Sequence, residues 1–324
     1  MTRTQEHKRL SAFWDLLKRT AAIAVPVALQ NLLSTTGSMV DTMMIASLGS
    51  LSVGAVGLCG QFSSLMFSCY WGFVGGGMLF FSQYWGAKDD RGICRSYGLT
   101  LLCMMTVGVL FGVMGTVFPS LVLSLYTDKH EVADIGIRYM HIVALSYPLQ
   151  VLAMAMAALL RSTEQVRVPL YGGIAQVAVN CFLNYCLIFG RFGLPKMGVE
   201  GAALATVCSC VVNISVMFVL SRRLRYPYLT AFRSHFQGIR AFAPQYLRKC
   251  APIIANEFLI GVGNMVISMV LGRQSLEAIA ATAVLRTLEG LVIGFFAGFS
   301  NAASILVGKE VGAGRLETAF WRAK

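Results

Sequence analysis

Apolar residues run in long blocks near 21–47, 53–83, 97–120, 137–160, 168–189, 200–220, 250–271 and 278–308. About 20 residues of helix cross a hydrocarbon core of about 30 Å, so each block predicts one membrane-spanning helix, eight in all. The pattern also repeats. Shifted by 226 positions, which carries Pro26 onto Pro252, the stretch Pro26 to Ala87 lies without a gap over Pro252 to Ala313. Gly37, Met39, Val40, Met43, Ala55, Gly72, Phe73 and Gly86-Ala87 fall on Gly263, Met265, Val266, Met269, Ala281, Gly298, Phe299 and Gly312-Ala313. Each copy is two long apolar segments closed by a glycine-bearing polar loop. The expected fold is an all-α polytopic membrane protein. Residues 1–220 form a first lobe of six helices, 221–249 a basic linker, and 250–324 the first two helices of a repeated second lobe, cut short after the eighth span.

Polar positions inside these blocks carry the functional information. Gln30, Ser34, Gly37 and Asp41 follow a 4-3-4 step and share one face of the first helix, with Asn31, Thr35, Ser38 and Thr42 alongside. A face this polar is costly against lipid and is expected to look into the bundle or a water-filled cavity. The repeat supplies Glu257, Gly261, Asn264 and Ser268 at the mates of Asn31, Thr35, Ser38 and Thr42. The acids are not shared: Asp41 falls on Ile267, and Glu257 on Asn31. Two similar halves with different acids predict two non-equivalent ion or proton sites. A carboxylate held from bulk water can take up a proton or, ringed by oxygen ligands, Na⁺. The alternative is a hydrogen-bonded packing residue. Gln176, Asn180 and Asn184 form a further stripe every four residues, able to ligate a cation, contact a substrate or simply join helices. Arg286 and Glu289, three apart, can pair on one helix face. Pro26, Pro148 and Pro252 lie within apolar runs, where each removes a backbone donor and is expected to bend its helix. Pro26 and Pro252 are repeat mates and are expected to bend their helices.

Composition narrows the class. The chain is 56% hydrophobic and 13% charged, against about a quarter charged in soluble domains. The net charge of +12 would suit nucleic acid in a soluble protein, but its placement is a topology signal. With the N-terminus inside, 21 of the 27 basic residues fall on inner segments. A cytoplasmic N-terminus, a plasma (inner) membrane location and no nucleic-acid partner are expected. Residues 1–20 lack the apolar core of a cleaved signal. The nine cysteines include no CxxC pair and suit small buried apolar roles. WGFVGGG (71–77) lies mid-span without the strand and Lys-Ser/Thr of a phosphate loop. The linker "SRRLRYPYLTAFRSHFQGIRAFAPQYLRK" suits a segment on the inner lipid surface, with basic groups on headgroups and aromatics at the interface, or a solvated loop.

Four motifs in order carry a resemblance: PVALQNLLSTTGSMVDTMMIASLGSLSVGAVGL on the first span, SQYWGAKDDRG after the second, NCFLNYCLIFGRFGLPKMGVEGAALAT across the fifth and sixth, and VGKEVGAGRLETA near the end. Together they are similar to the multidrug and toxic compound extrusion (MATE) family of cation-coupled antiporters. The family implies twelve helices in two six-helix lobes, alternating access, and export of cationic amphiphilic compounds driven by Na⁺ or H⁺. By that resemblance Asp41, Asn180 and Asn184 match polar cavity positions of the N-terminal lobe, Pro26 its first-helix bend, and Glu257 the acid of the seventh helix. Asn184 stands where one branch carries an aspartate, a departure from a proton switch made by two acids.

The expected function is therefore antiport of a small cationic or amphiphilic substrate against Na⁺ or H⁺, with no cofactor, by a monomer in contact with membrane lipid. Asp41, Glu257, Asn180 and Asn184 would couple the ion. Gln30, Asn31, Ser34, Ser38, Gln176, Asn264 and Glu289 would line the substrate cavity. Rival readings are a lipid-linked oligosaccharide flippase of the same superfamily, which would favour a more basic cavity, and an inert fragment. An intramembrane enzyme lacks support, because His7, His130, His141 and His235 form no paired constellation.

Overall fold

The computed structural model describes residues 3–127, 129–231, 235–271 and 276–323. Their helices are α1 (Arg3–Ala46), α2 (Ser50–Ala87), α3 (Asp90–Val117), α4 (Pro119–Ser124), α5 (His130–Val143), α6 (Ser146–Ser162), α7 (Arg167–Phe189), α8 (Val199–Arg223), α9 (Ile239–Leu271), α10 (Leu276–Gly312) and α11 (Leu316–Ala323). No strand occurs among the described residues. Local chemistry sets the breaks. Lys88 ends α2 in the left-handed region at φ 56°, its N–H bonded to the carbonyls of Tyr84 and Trp85. Asp89 then caps α3, accepting from the Gly92 N–H at 2.9 Å. The polar "AKDD" between the second and third apolar runs is thus a tight helix-to-helix turn.

Leu17–Ala46, Ser50–Ala87, Asp90–Val117, Arg167–Phe189, Val199–Arg223 and Val292–Gly312 are each long and apolar enough to cross a membrane. On α3 the exposed Leu102, Val109, Leu110, Val113 and Val117 recur at helical spacing, an outer stripe suited to lipid. The run 137–160, read as one span bent by Pro148, is a broken helix pair: α5 and α6 meet at 49°. Pro148 explains it. Its ring crowds the carbonyl four residues back and it has no N–H to offer that group; that residue is Ala144, where α5 stops. Pro148 itself sits in the first turn of α6, which tolerates it. By contrast α1 continues as helix through Pro26, and α9 through Pro252. The run 250–271 lies in α9, which begins at Ile239, inside the stretch read as linker. The side chains of Ser268 and Arg286 lie outside the described ones.

The linker departs most from expectation. Four of its aromatics pack inward, against the bundle: Tyr226, Tyr228, Phe242 and Tyr246 are buried, while Phe236 is exposed. Tyr228 donates to Asp90 at 2.5 Å, Tyr226 and Thr163 share a 2.6 Å hydrogen bond, and Tyr246 and Thr100 one of 2.8 Å. The Phe242 ring meets Phe80 edge-on at 5.3 Å under the Arg95 guanidinium. Hydroxyls satisfied by the bundle allow these rings to be buried at little polar cost.

The repeat is visible in how the halves touch. α1 packs on α10, and α2 on both α9 and α10. A β-carbon on Gly72 would collide with the Ile254 backbone, and one on Gly298 with Ala28. Gly72 and Gly298 are mates, as are Ala28 and Ile254, so the two crossings are the same contact made twice. Near the far end a β-carbon on Gly86 would strike the Lys309 carbonyl, and one on Gly312 the Gln83 carbonyl. Those four residues are again two mate pairs. Small residues let the backbones approach this closely, which gives the shared glycines of the sequence a physical role.

Candidate substrate and ion cavity

The polar face of α1 opens on a cavity of about 350 Å³. Gln30, Ser34, Gly37, Ser38 and Asp41 line one wall, Gln176 and Asn180 of α7 another, and Gln150 of α6 with Thr206, Ser209 and Cys210 of α8 complete it. Helical spacing places the α1 and α7 stripes opposite each other. Gly37 lets them close, since a β-carbon there would sit 3.1 Å from the Val177 methyls.

At one end Asn184, fully buried, donates from Nδ2 to Asp41 Oδ1 at 2.5 Å and to Asn180 Oδ1 at 3.2 Å. Its own Oδ1 is buried without a hydrogen-bond partner. Asp41 Oδ2, Asn180 Oδ1 and Asn184 Oδ1 are the acceptors a hard cation could use here. Midway, Asn213 of α8 donates to Gln176 Oε1 at 2.7 Å. At the other end the Arg161 guanidinium, 7% exposed, donates to Gln30 Oε1 at 2.7 Å. Eleven residues of α1 separate Gln30 from Asp41, about 16 Å at 1.5 Å per residue. Asp41 thus lines one end of the chamber, while Arg161, outside the lining, holds Gln30 from behind at the other. Among the described residues no three His, Cys, Asp or Glu side chains gather around a common metal position.

The structure therefore brings together Gln30, Ser34, Ser38, Asp41, Gln176, Asn180 and Asn184. Asn31 lies on the seam with α10, donating to the Gly294 carbonyl at 3.0 Å. Its mate Glu257 is half-buried on α9, one turn from Gly261, whose close neighbour is Ser68 of α2. Ser68 and Gly294 are mates too. Glu257 thus sits at the symmetry-related seam, apart from the Asp41 chamber. Asn264 and Glu289 are exposed and lie outside that chamber. Arg161 was missed because it follows an apolar run and passes for one more inner basic residue. Gln150 and Asn213 carried a signal, each a lone amide within an apolar block.

The fold has known counterparts. The sequence profile of the MatE family matches residues 26–186 and again 252–320, two matches that start on the mates Pro26 and Pro252. The probable multidrug resistance protein YoeA of Bacillus subtilis is 27% identical over 296 residues, 90% of this chain and 64% of that protein. The probable multidrug resistance protein NorM of Listeria monocytogenes is 24% identical over 309 residues, 93% of this chain and 66% of its own length. The chain thus spans just under two thirds of the length of these relatives. A solved multidrug resistance MATE family transporter of the MOP superfamily, in an outward-facing conformation, superposes with a TM-score of 0.80 at 19% identity. That likeness covers 94% of this chain and 68% of the other. With its profile found once in each copy of its internal repeat and its helices arranged as in that transporter, the chain belongs to the MatE family of membrane transporters.

Proposed function

We propose that the chain exports small cationic or amphiphilic compounds across the plasma membrane in exchange for Na⁺ or H⁺, with its N-terminus in the cytoplasm. The observation that carries this is Asp41, an acid set among amides in a polar chamber between membrane-spanning helices. A cationic substrate binds the free carboxylate and is released when Asp41 takes up a proton or Na⁺. That is the differential affinity exchange requires. Asn184 steers the two states, since its amide donates to the charged carboxylate. The flippase alternative would call for basic residues in the wall, and the described lining has none. The relatives named for multidrug resistance support a drug substrate. The two lobes, meeting through the glycine crossings, would rock about them.

The test is efflux of a fluorescent cation from cells producing Asp41→Asn at wild-type membrane levels. Loss of efflux is expected. Undiminished efflux would remove Asp41 from the mechanism.

A further inference from the structure

At the opposite end of α1 from Asp41, a second crevice of about 720 Å³ opens between α1, the turn joining α6 to α7, and the last turns of α8 and α10. Arg19, Arg167, Arg223 and Lys309 border it, with Glu164 as the acid. Lys309 Nζ lies 2.6 Å from Glu164 Oε1, so that pair cancels. The exposed Arg19, Arg167 and Arg223 make no ion pair among the described residues. Three positive charges are left around one opening.

Their height matters. Arg167 and Arg223 terminate two of the membrane-length helices, and Arg19 lies at the start of a third. They ring the crevice where hydrocarbon gives way to headgroups. Beneath them the wall turns apolar, with Ile23, Val166, Leu220 and Leu306, and Tyr171 exposed beside them. Cations above an apolar wall complement a lipid, whose phosphate meets the arginines while a chain lies on the wall. A small soluble anion would gain nothing from that wall. We propose that this crevice binds the headgroup of an anionic phospholipid. Leu306 of the apolar wall comes from α10, and the arginines come from α1, α7 and α8. The site is whole only while α10 rests on the first half, so lipid binding favours that closed arrangement.

Purified protein in neutral detergent is given phosphatidylglycerol or phosphatidylcholine, and retained lipid is counted by native mass spectrometry alongside Tm. Wild type is expected to retain, and be stabilised by, phosphatidylglycerol in preference. In the triple variant Arg19→Gln, Arg167→Gln, Arg223→Gln the preference falls roughly fivefold per cation removed, with Tm in phosphatidylcholine unchanged. The single variants Arg167→Gln and Arg223→Gln give the same direction should the triple variant not fold. A charge-matched control, Arg225→Gln, Arg240→Gln, Arg248→Gln, keeps the preference. Equal losses in both triple variants would mean diffuse attraction to basic surface and overturn the proposal. So would the absence of any preference in wild type, or stabilisation by glycerol phosphate equal to that by phosphatidylglycerol.

Discussion

Asn184 donates a 2.5 Å hydrogen bond to Asp41 although 143 residues separate them. The bond ties α7 to α1 at the end of the chamber and fixes which way the amide faces. Removing one partner of a buried pair costs more than removing both, because the survivor keeps its desolvation penalty.

Asn184→Leu is accordingly expected to cost about 1–3 kcal/mol, and the double variant Asp41→Leu, Asn184→Leu less than the sum of the single changes. Thermal unfolding in detergent of all four proteins measures it. Strict additivity would mean that the two side chains do not interact.

The repeated crossing predicts matched effects from mates. Gly86→Ala and Gly312→Ala each press a methyl onto a carbonyl of the other half, so both should part α2 from α10 at this end. A cysteine placed at Ser82, 2% exposed, in a background without the nine native cysteines, should then react faster with an impermeant maleimide. An unchanged rate in either variant breaks the equivalence.

The linker should loosen in acid. Burial lowers the pKa of the His235 imidazole below its ordinary 6.5, outweighing the opposite pull of the Tyr228 carbonyl it bonds. Tyr97 faces its ring at 5.1 Å. The unfolded segment therefore takes up a proton first. Docking keeps its full strength above about pH 6.5 and loses it as pH falls through the lowered folded value. Limited proteolysis of residues 221–238 should accelerate across that range in wild type and stay flat in His235→Phe.

What the sequence revealed and what it hid have physical causes. The Gln30 to Asp41 face could be read because helical spacing alone puts those residues on one side. The α7 amides followed from the same rule. Glu257 was read with Asp41 as an intramembrane acid at a second, non-equivalent site, but spacing within a helix says nothing about which neighbour that face meets. The bend near Ala144 was legible in Pro148, while the apolar residues on both sides gave no sign that the helix would be interrupted there. The linker's tyrosines misled because a ring with a hydroxyl suits an interface and a hydrogen-bonded core equally well. Only the positions of Asp90, Thr100 and Thr163 decide between them.

Arg161 and Asp41 make the chamber more than a polar hole. With a guanidinium held behind Gln30 and a carboxylate at Asp41, eleven residues further along α1, the space between them carries a standing gradient of potential, little screened between membrane helices. In the exchange we propose, a substrate with a cationic head and an apolar tail would be turned by such a gradient before it touches any wall, head toward Asp41. Selection by alignment tolerates many shapes and few polarities.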